Sequence, residues 1–219
     1  MRFQAAFVSD REARIPDTFH SVFASLLMDL LHGYSLEGEP YTFSLRLNAG
    51  VGFKEGWFEG VRYVLMRFSS GDPDVFDAVI DGVVRLKDRW ENLSIGTGNF
   101  RVGDITVDRE VVGRGTLLTL SPVVLERDGA FLLPGEEGYP DALRDIMAGR
   151  MRILERKEPQ RFSVEVLEYE EVEVPSLRGR AKGFVGRIRL LADRESVRFA
   201  YDYGLGSRTM DGFGMVDII

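Results

Sequence analysis

Twice along this chain of 219 residues the hydrophobic period switches between two and 3.6 in the same order, strand, helix, strand, strand, helix, strand. Residues 2–8 alternate as a strand, and Pro16 and Asp17 open a helix whose Phe19, Val22, Phe23, Leu26, Leu27, Leu30 and Leu31 fall on one face. Tyr41–Leu47 and Gly60–Phe68 read as two strands, and Asp72-Pro73 caps a helix carrying Val75, Phe76, Val79, Ile80 and Val83. Phe100–Val107 alternates again. From Thr116 the order restarts with an apolar strand through Leu125 and a helix entered at Pro140, with Leu143, Ile146, Met147 and Leu154 on one face. A hairpin, Phe162–Val172 and Arg180–Leu191, a short helix over Asp193–Tyr203 and a last strand, Met215–Ile219, complete it.

This order predicts an α+β protein of two tandem ferredoxin-like, RRM-like domains, residues 1–113 and 114–219, joined at Gly113-Arg114-Gly115. Each domain is expected to place two helices on one face of a four-stranded antiparallel sheet. The repeat is one of element order only, without evident identity between the halves. RNA-recognition modules are built in the same order, which makes RNA a partner class by analogy.

With 44% hydrophobic residues the chain can bury a sizeable core. No run of about 18 apolar residues occurs, and the start alternates as a strand rather than reading as a signal peptide, so a cytoplasmic protein with no membrane partner is expected. The absence of cysteine excludes disulfides, thiolate metal sites and cysteine nucleophiles, and two histidines make a His-rich metal site improbable, so no metal or cofactor is expected. A net charge of −7 argues against indiscriminate nucleic-acid binding, because phosphate affinity comes from basic side chains that release counterions. The charges are unevenly placed, however. An acidic strand with Glu165, Glu168, Glu170, Glu171 and Glu173 precedes Arg178, Arg180, Lys182, Arg187 and Arg189, and Arg150, Arg152, Arg156, Lys157 and Arg161 lie upstream. Either run reads as a solvated face or as a phosphate contact.

Residues 204–214, Gly-Leu-Gly-Ser-Arg-Thr-Met-Asp-Gly-Phe-Gly, form a second chemical signal. Gly204, Gly206, Gly212 and Gly214 permit a tight backbone whose N–H groups could converge on an anion beside Arg208. A dinucleotide loop is excluded, because its third glycine would fall at Thr209 and the flanks run helix to strand. The other reading is a connection that turns the chain. His32 is the best general base by type and place, since histidine alone has an unperturbed pKa close to neutrality and this one stands where the first helix runs out into Gly33. It could equally serve the helix C-terminal dipole. His20, about 18 Å away along the same helix, cannot share one phosphate with it and reads as structural. Trp57, Phe58 and Tyr63 are candidates for base stacking, against a core role.

Several segments, in order, carry a resemblance: Met1–Val8, Leu31-His32, Tyr41-Thr42-Phe43-Ser44, residues 119–124, Gly183-Phe184-Val185-Gly186 and Gly204–Met215. In these the chain resembles the CRISPR-associated repeat-processing endoribonucleases, the sixth Cas family of the RAMP superfamily, most specifically in the glycine loop with its Gly-Phe-Gly-Met ending. The resemblance implies two ferredoxin-like domains that bind a CRISPR repeat in precursor crRNA and cut it without metal. The RNA's own 2′-hydroxyl attacks the adjacent phosphate, leaving a 2′,3′-cyclic phosphate and a 5′-hydroxyl. It implies catalysis by His32, with Tyr34 or Tyr41 to orient or donate a proton. The lysine that accompanies the histidine in some members is missing from residues 35–40, which leaves Lys54 or Arg46 to neutralise the phosphate. RNA binding is implied for Arg178, Arg180, Lys182 and Arg187 and for the loop's Gly204, Gly206, Arg208, Gly212 and Gly214. Membership of a CRISPR effector complex and a homodimer are compatible with it. The alternatives are a non-catalytic RAMP-type RNA-binding subunit and an acidic protein-interaction scaffold.

Overall fold

The computed structural model describes residues 1–108, 115–159, 161–176 and 178–219, so the expected joint at Gly113 and Arg114 lies outside the described residues. The first half contains β1 (Arg2–Pro16), α1 (His20–Leu30), β2 (Thr42–Leu47), β3 (Gly52–Lys54), β4 (Trp57–Ser69), α2 (Pro73–Asp88), β5 (Asn92–Ile95) and β6 (Gly98–Val107). The second contains β7 (Thr116–Thr119), β8 (Val123–Val124), β9 (Glu126–Arg127), β10 (Ala130–Phe131), α3 (Tyr139–Glu155), β11 (Phe162–Ser176), β12 (Gly179–Ala192), α4 (Arg194–Tyr203) and β13 (Val216–Ile218). The sheets run β2-β4-β1-β6-β5 and β11-β12-β7-β13, with antiparallel pairing throughout. Both contain the ferredoxin-like order, in which the first strand lies centrally between the third and fourth.

The four-strand expectation needs enlargement. The first sheet adds β3 beside β4 and β5 beside β6, and the second adds β8 beside β12. β1 continues past Val8 to Pro16 because residues 13–16 pair again with β4, across a register shift between Val8 and Ala13 that keeps Ala13 and Ile15 buried. The strand expected to run through Leu125 is interrupted at Ser121-Pro122, since proline cannot donate to a ladder. A single 3-10 turn, Asp17–Phe19, precedes α1. α2 starts as the sequence indicates, with the Asp72 carboxylate accepting from the N–H groups of Asp74 at 2.9 Å and Val75 at 3.3 Å.

In the first sheet Phe3, Phe68 and Phe43 stand in register, as do Ala5, Met66 and Leu45, and this face packs on Phe23 and Leu27 of α1 and Val75, Val79 and Val83 of α2. Gly82 allows close contact of the helices, since a Cβ there would lie 2.6 Å from Leu30 Cδ2. The second core gathers Leu117, Phe184 and Ile188 under Leu143 and Met147 of α3 and Phe199 of α4. Each fully buried large apolar side chain contributes on the order of 1.5–3 kcal/mol. The two domains are joined polar group to polar group: Arg2 Nη2 donates to the carbonyls of Tyr201 and Val216, both at 2.8 Å, and Thr42 Oγ1 donates to Phe213 O at 2.8 Å. No helix among the described residues is long and apolar enough to cross a membrane.

Candidate functional site

The glycine loop leaves α4 at Tyr203 and enters β13, turning through four glycines with φ between 72° and 92°. Six of the eleven N–H groups of residues 204–214 are bonded inside the protein. Leu205 donates to Gly214 O at 2.8 Å, Ser207 to Val124 O at 2.8 Å, Gly214 to Pro122 O at 2.7 Å, and Met215 to Ser121 Oγ at 3.0 Å. Gly204, Asp211 and Gly212 donate to carbonyls of the preceding residues. All four glycines are buried, and their missing side chains admit neighbours rather than an anion. A Cβ on Gly206 would strike Val124 O, one on Gly214 would strike Leu205 O, and one on Gly212 would lie 2.8 Å from Phe43 Cζ. Met210 from the same loop packs on the first domain's core. These residues form a packed seam between the domains.

Arg208 belongs to that seam. Its Nε donates to Glu126 Oε2 at 2.7 Å, its guanidinium lies 5.1 Å from the Phe131 ring centroid, and only 10% of its side chain is exposed. Beside it, burial raises the Asp211 carboxyl above the usual carboxylate range, opposed by Arg178 and Arg208. Arg150, on α3, is the residue that the sequence reading undervalued. Its buried guanidinium donates to six acceptors: Gly38 O, Glu39 O, Tyr203 O, Gly204 O, Gly206 O and Thr209 Oγ1, at 2.7–3.2 Å. Burial pulls its pKa down to about 10. The signal was available, because Arg150 is three residues after Met147 and four before Leu154, on the apolar face of α3 rather than in a solvated basic run.

The basic hairpin is a ladder of ion pairs. Arg180 Nε meets Glu173 Oε1 at 2.6 Å, Arg187 meets Glu168 at 3.3 Å, and Arg189 meets Glu165 at 2.9 Å, each arginine joined to the acidic strand beside it. These arginines remain about half exposed. Such pairs contribute only about 0.2–1 kcal/mol, so a phosphate can replace the glutamate as partner, unlike at Arg208. Arg178 and Lys182 are exposed, and Lys182 lines a cleft of about 260 Å³ with Glu171 and Glu173.

His32 is exposed on the turn that closes α1, its N–H donating to Asp29 O at 3.3 Å and its imidazole making no hydrogen bond among the described residues. Tyr34 is 44% exposed, but it lines a cleft of about 440 Å³ with Asp74, Asp77, Asp81 and Arg85, and no hydrogen bond joins it to His32. Three carboxylates against one guanidinium disfavour an RNA phosphate there. Tyr41, the other tyrosine candidate, is fully buried, and its pKa is raised by burial first and by Asp211 and Glu39 after that. His20 stacks on Phe19 with ring centroids 4.7 Å apart, and burial lowers its pKa to about 4. Phe58 packs against the core and Trp57 lies under Arg14, whereas Tyr63 is exposed on the sheet face away from the helices, diagonal to the exposed Arg46. Arg46 and Lys54 have no ion pair among the described residues. No three His, Asp or Glu residues among those described are grouped to hold a metal ion.

Comparison with known proteins supplies the family. Residues 109–218 match the family model for the C-terminal part of the CRISPR-associated protein Cas6. A Pyrococcus horikoshii protein named CRISPR-associated endoribonuclease-like protein Cas6nc is 29% identical over 169 residues, 71% of this chain and 69% of that one. The fold superimposes on the solved structure of a Cas6-related gene product from Pyrococcus furiosus with a TM-score of 0.85 at 22% identity, covering 100% of this chain and 98% of the other. A RAMP protein described as binding different RNA substrates superimposes with a TM-score of 0.83 at 24% identity, covering 100% and 99%.

Proposed function

Because the chain belongs to the Cas6 family of CRISPR-associated proteins, we propose that it binds CRISPR repeat RNA and cuts precursor crRNA once within each repeat, with His32 as general base. The observation that carries this reading is the imidazole of His32, exposed and uncommitted on a turn whose following segment is fastened to the domain seam. His32 takes the proton of a 2′-hydroxyl, whose oxygen bonds to the adjacent phosphorus while the bond from phosphorus to the 5′ oxygen breaks. The 5′ oxygen takes a proton through solvent, so the products are a 2′,3′-cyclic phosphate and a 5′-hydroxyl. The nucleophile comes from the substrate, so the protein need supply only alignment and proton transfer, and no metal ion.

Phosphate contacts fall to Arg180 and Arg187, exchanging glutamate for phosphate, and to Arg178 and Lys182 at the hairpin's tip and rim. Tyr63 and Arg46 on the open sheet face combine a stacking ring with a cation, the pairing that holds unpaired bases. The seam glycines and Arg208 act indirectly, by fixing the relative placement of the domains. A synthetic repeat RNA from the CRISPR array of the source genome, incubated with the protein and EDTA, is expected to be cut at one site, with a cyclic phosphate on the upstream product. Loss of cleavage in EDTA, or a simple 3′-hydroxyl, would overturn the internal-attack chemistry.

A second reading, a non-catalytic RNA-binding subunit, is favoured by the acidic surroundings of Tyr34 and by the absence of lysine from residues 35–40. Specific repeat binding without any cut would establish it.

A further inference from the structure

We propose that Arg150 is a positioning residue for His32, holding the strap of residues 32–41 in register with the glycine loop. This deepens the nuclease reading and rests on it for its catalytic consequence. The strap begins after buried Leu31 and ends at buried Tyr41, with Leu36 packed on the first domain's core between them. Near its far end two consecutive residues take left-handed backbone, Gly38 at φ 78° and Glu39 at φ 57°. For Glu39 that conformation is strained, and it persists only where the surroundings over-determine it. Arg150 supplies that determination. Its Nε bonds Gly38 O at 3.1 Å and its Nη2 bonds Glu39 O at 2.9 Å, while the same guanidinium holds Tyr203 O, Gly204 O and Gly206 O of the other domain.

α3 closes on the strap from the same side, since a Cβ on Gly38 would stand 2.8 Å from Ile153 Cγ2 and 3.1 Å from Leu154 Cγ. The nearest carboxylate to the guanidinium, Glu39 Oε2, lies 3.9 Å from Arg150 Nε, so carbonyl oxygens provide most of the compensation for the buried charge. A lysine, with a single ammonium, cannot span acceptors on both sides of the seam in the same fork. The backbone that follows His32 is thereby set by a side chain of the opposite domain.

The test uses the full chain with three substitutions: Arg150→Lys, Gly38→Ala and Thr209→Val. Arg150→Lys is expected to speed hydrogen exchange of strap amides by about tenfold or more and to slow single-turnover cleavage of the repeat by on the order of 10²-fold, with repeat affinity within about threefold of wild type. Gly38→Ala reaches the same contact from the strap side while keeping the arginine, and it is expected to shift exchange and rate in the same direction. Thr209→Val removes one acceptor on the glycine-loop side and is expected to leave strap exchange and rate within about twofold. Unchanged strap exchange in both Arg150→Lys and Gly38→Ala overturns the proposal, as does a loosened strap with an unchanged rate. A wild type that binds the repeat without cutting it overturns the nuclease reading instead, and strap exchange then still decides whether Arg150 holds this segment.

Discussion

Gly206→Ala separates a packed seam from an anion cradle by magnitude. The native backbone at Gly206 has φ 80°, which costs an alanine about 1–2 kcal/mol. The new Cβ would also collide with Val124 O, the acceptor of the Ser207 N–H bond at 2.8 Å, and relief must displace that bond or the one from Arg150 Nη1 to Gly206 O at 3.2 Å. A neutral hydrogen bond contributes about 0.5–1.5 kcal/mol and one from a charged donor about 1.5–3 kcal/mol, so with the backbone cost the total loss is about 1.5–5 kcal/mol, toward the upper end if the Arg150 bond is the one displaced. For a chain of this size that lowers the thermal midpoint by about 3–20 °C. Gly50→Ala is the matched control. Its φ is also 80°, but its Cβ would meet nothing within 4 Å, so only the backbone term applies and the midpoint should fall by about 2–8 °C. Differential scanning fluorimetry measures both, and repeat affinity taken below the lower midpoint should stay within about threefold for either variant. A Gly206→Ala protein with a near-native midpoint and RNA affinity reduced by on the order of tenfold would refute the seam and restore the cradle.

Replacing Arg180 and Arg187 together by alanine should weaken repeat binding and lower the slope of log affinity against log salt by about one to two, measured by filter binding; an unchanged slope would show the hairpin to be only a ladder of ion pairs. His20 supplies a pH dependence. Its folded pKa near 4 lies below the unfolded value near 6.5, so the unfolded chain binds the proton more readily, and the stability gained from keeping His20 neutral is complete above about pH 6.5 and lost as pH falls toward 4. Thermal midpoints of wild type should therefore drop between pH 7 and 4.5 more steeply than those of His20→Phe, and parallel curves would refute the burial argument.

Elements whose sequence carried an unbroken period and a cap were legible, α2 with Asp72-Pro73 above all, and so was the doubled strand and helix order that gives the ferredoxin-like sheets. The extension of β1 through Ser9–Arg14 was not, because this largely polar stretch has little strand signal of its own: Ser9 is held by pairing with β6 and Ala13 and Arg14 by pairing with β4, some fifty to ninety residues away in sequence. At the glycine loop the sequence revealed where the chain must turn tightly, but which N–H groups remain available depends on Val124 O and Pro122 O, acceptors about eighty to ninety residues upstream. The partners of the basic hairpin were hidden for a similar reason: Arg180 and Glu173 are seven residues apart in sequence yet bonded across the strands, so part of a charge run along the chain is a set of ion pairs in space. Tyr34 stands near His32 in sequence but turns to the aspartates of α2, a placement set by how α1 and α2 pack.

Single-turnover cleavage and equilibrium binding of the cognate repeat, measured side by side for wild type and His32→Ala in EDTA, address the central role of His32. Wild type should cut at one site, and His32→Ala should cut slower by on the order of 10²- to 10⁴-fold, the usual contribution of a positioned acid–base group, with affinity nearly unchanged. Cleavage by His32→Ala at the wild-type rate would contradict the assignment, leaving His32 an exposed helix-terminal residue with no part in the chemistry.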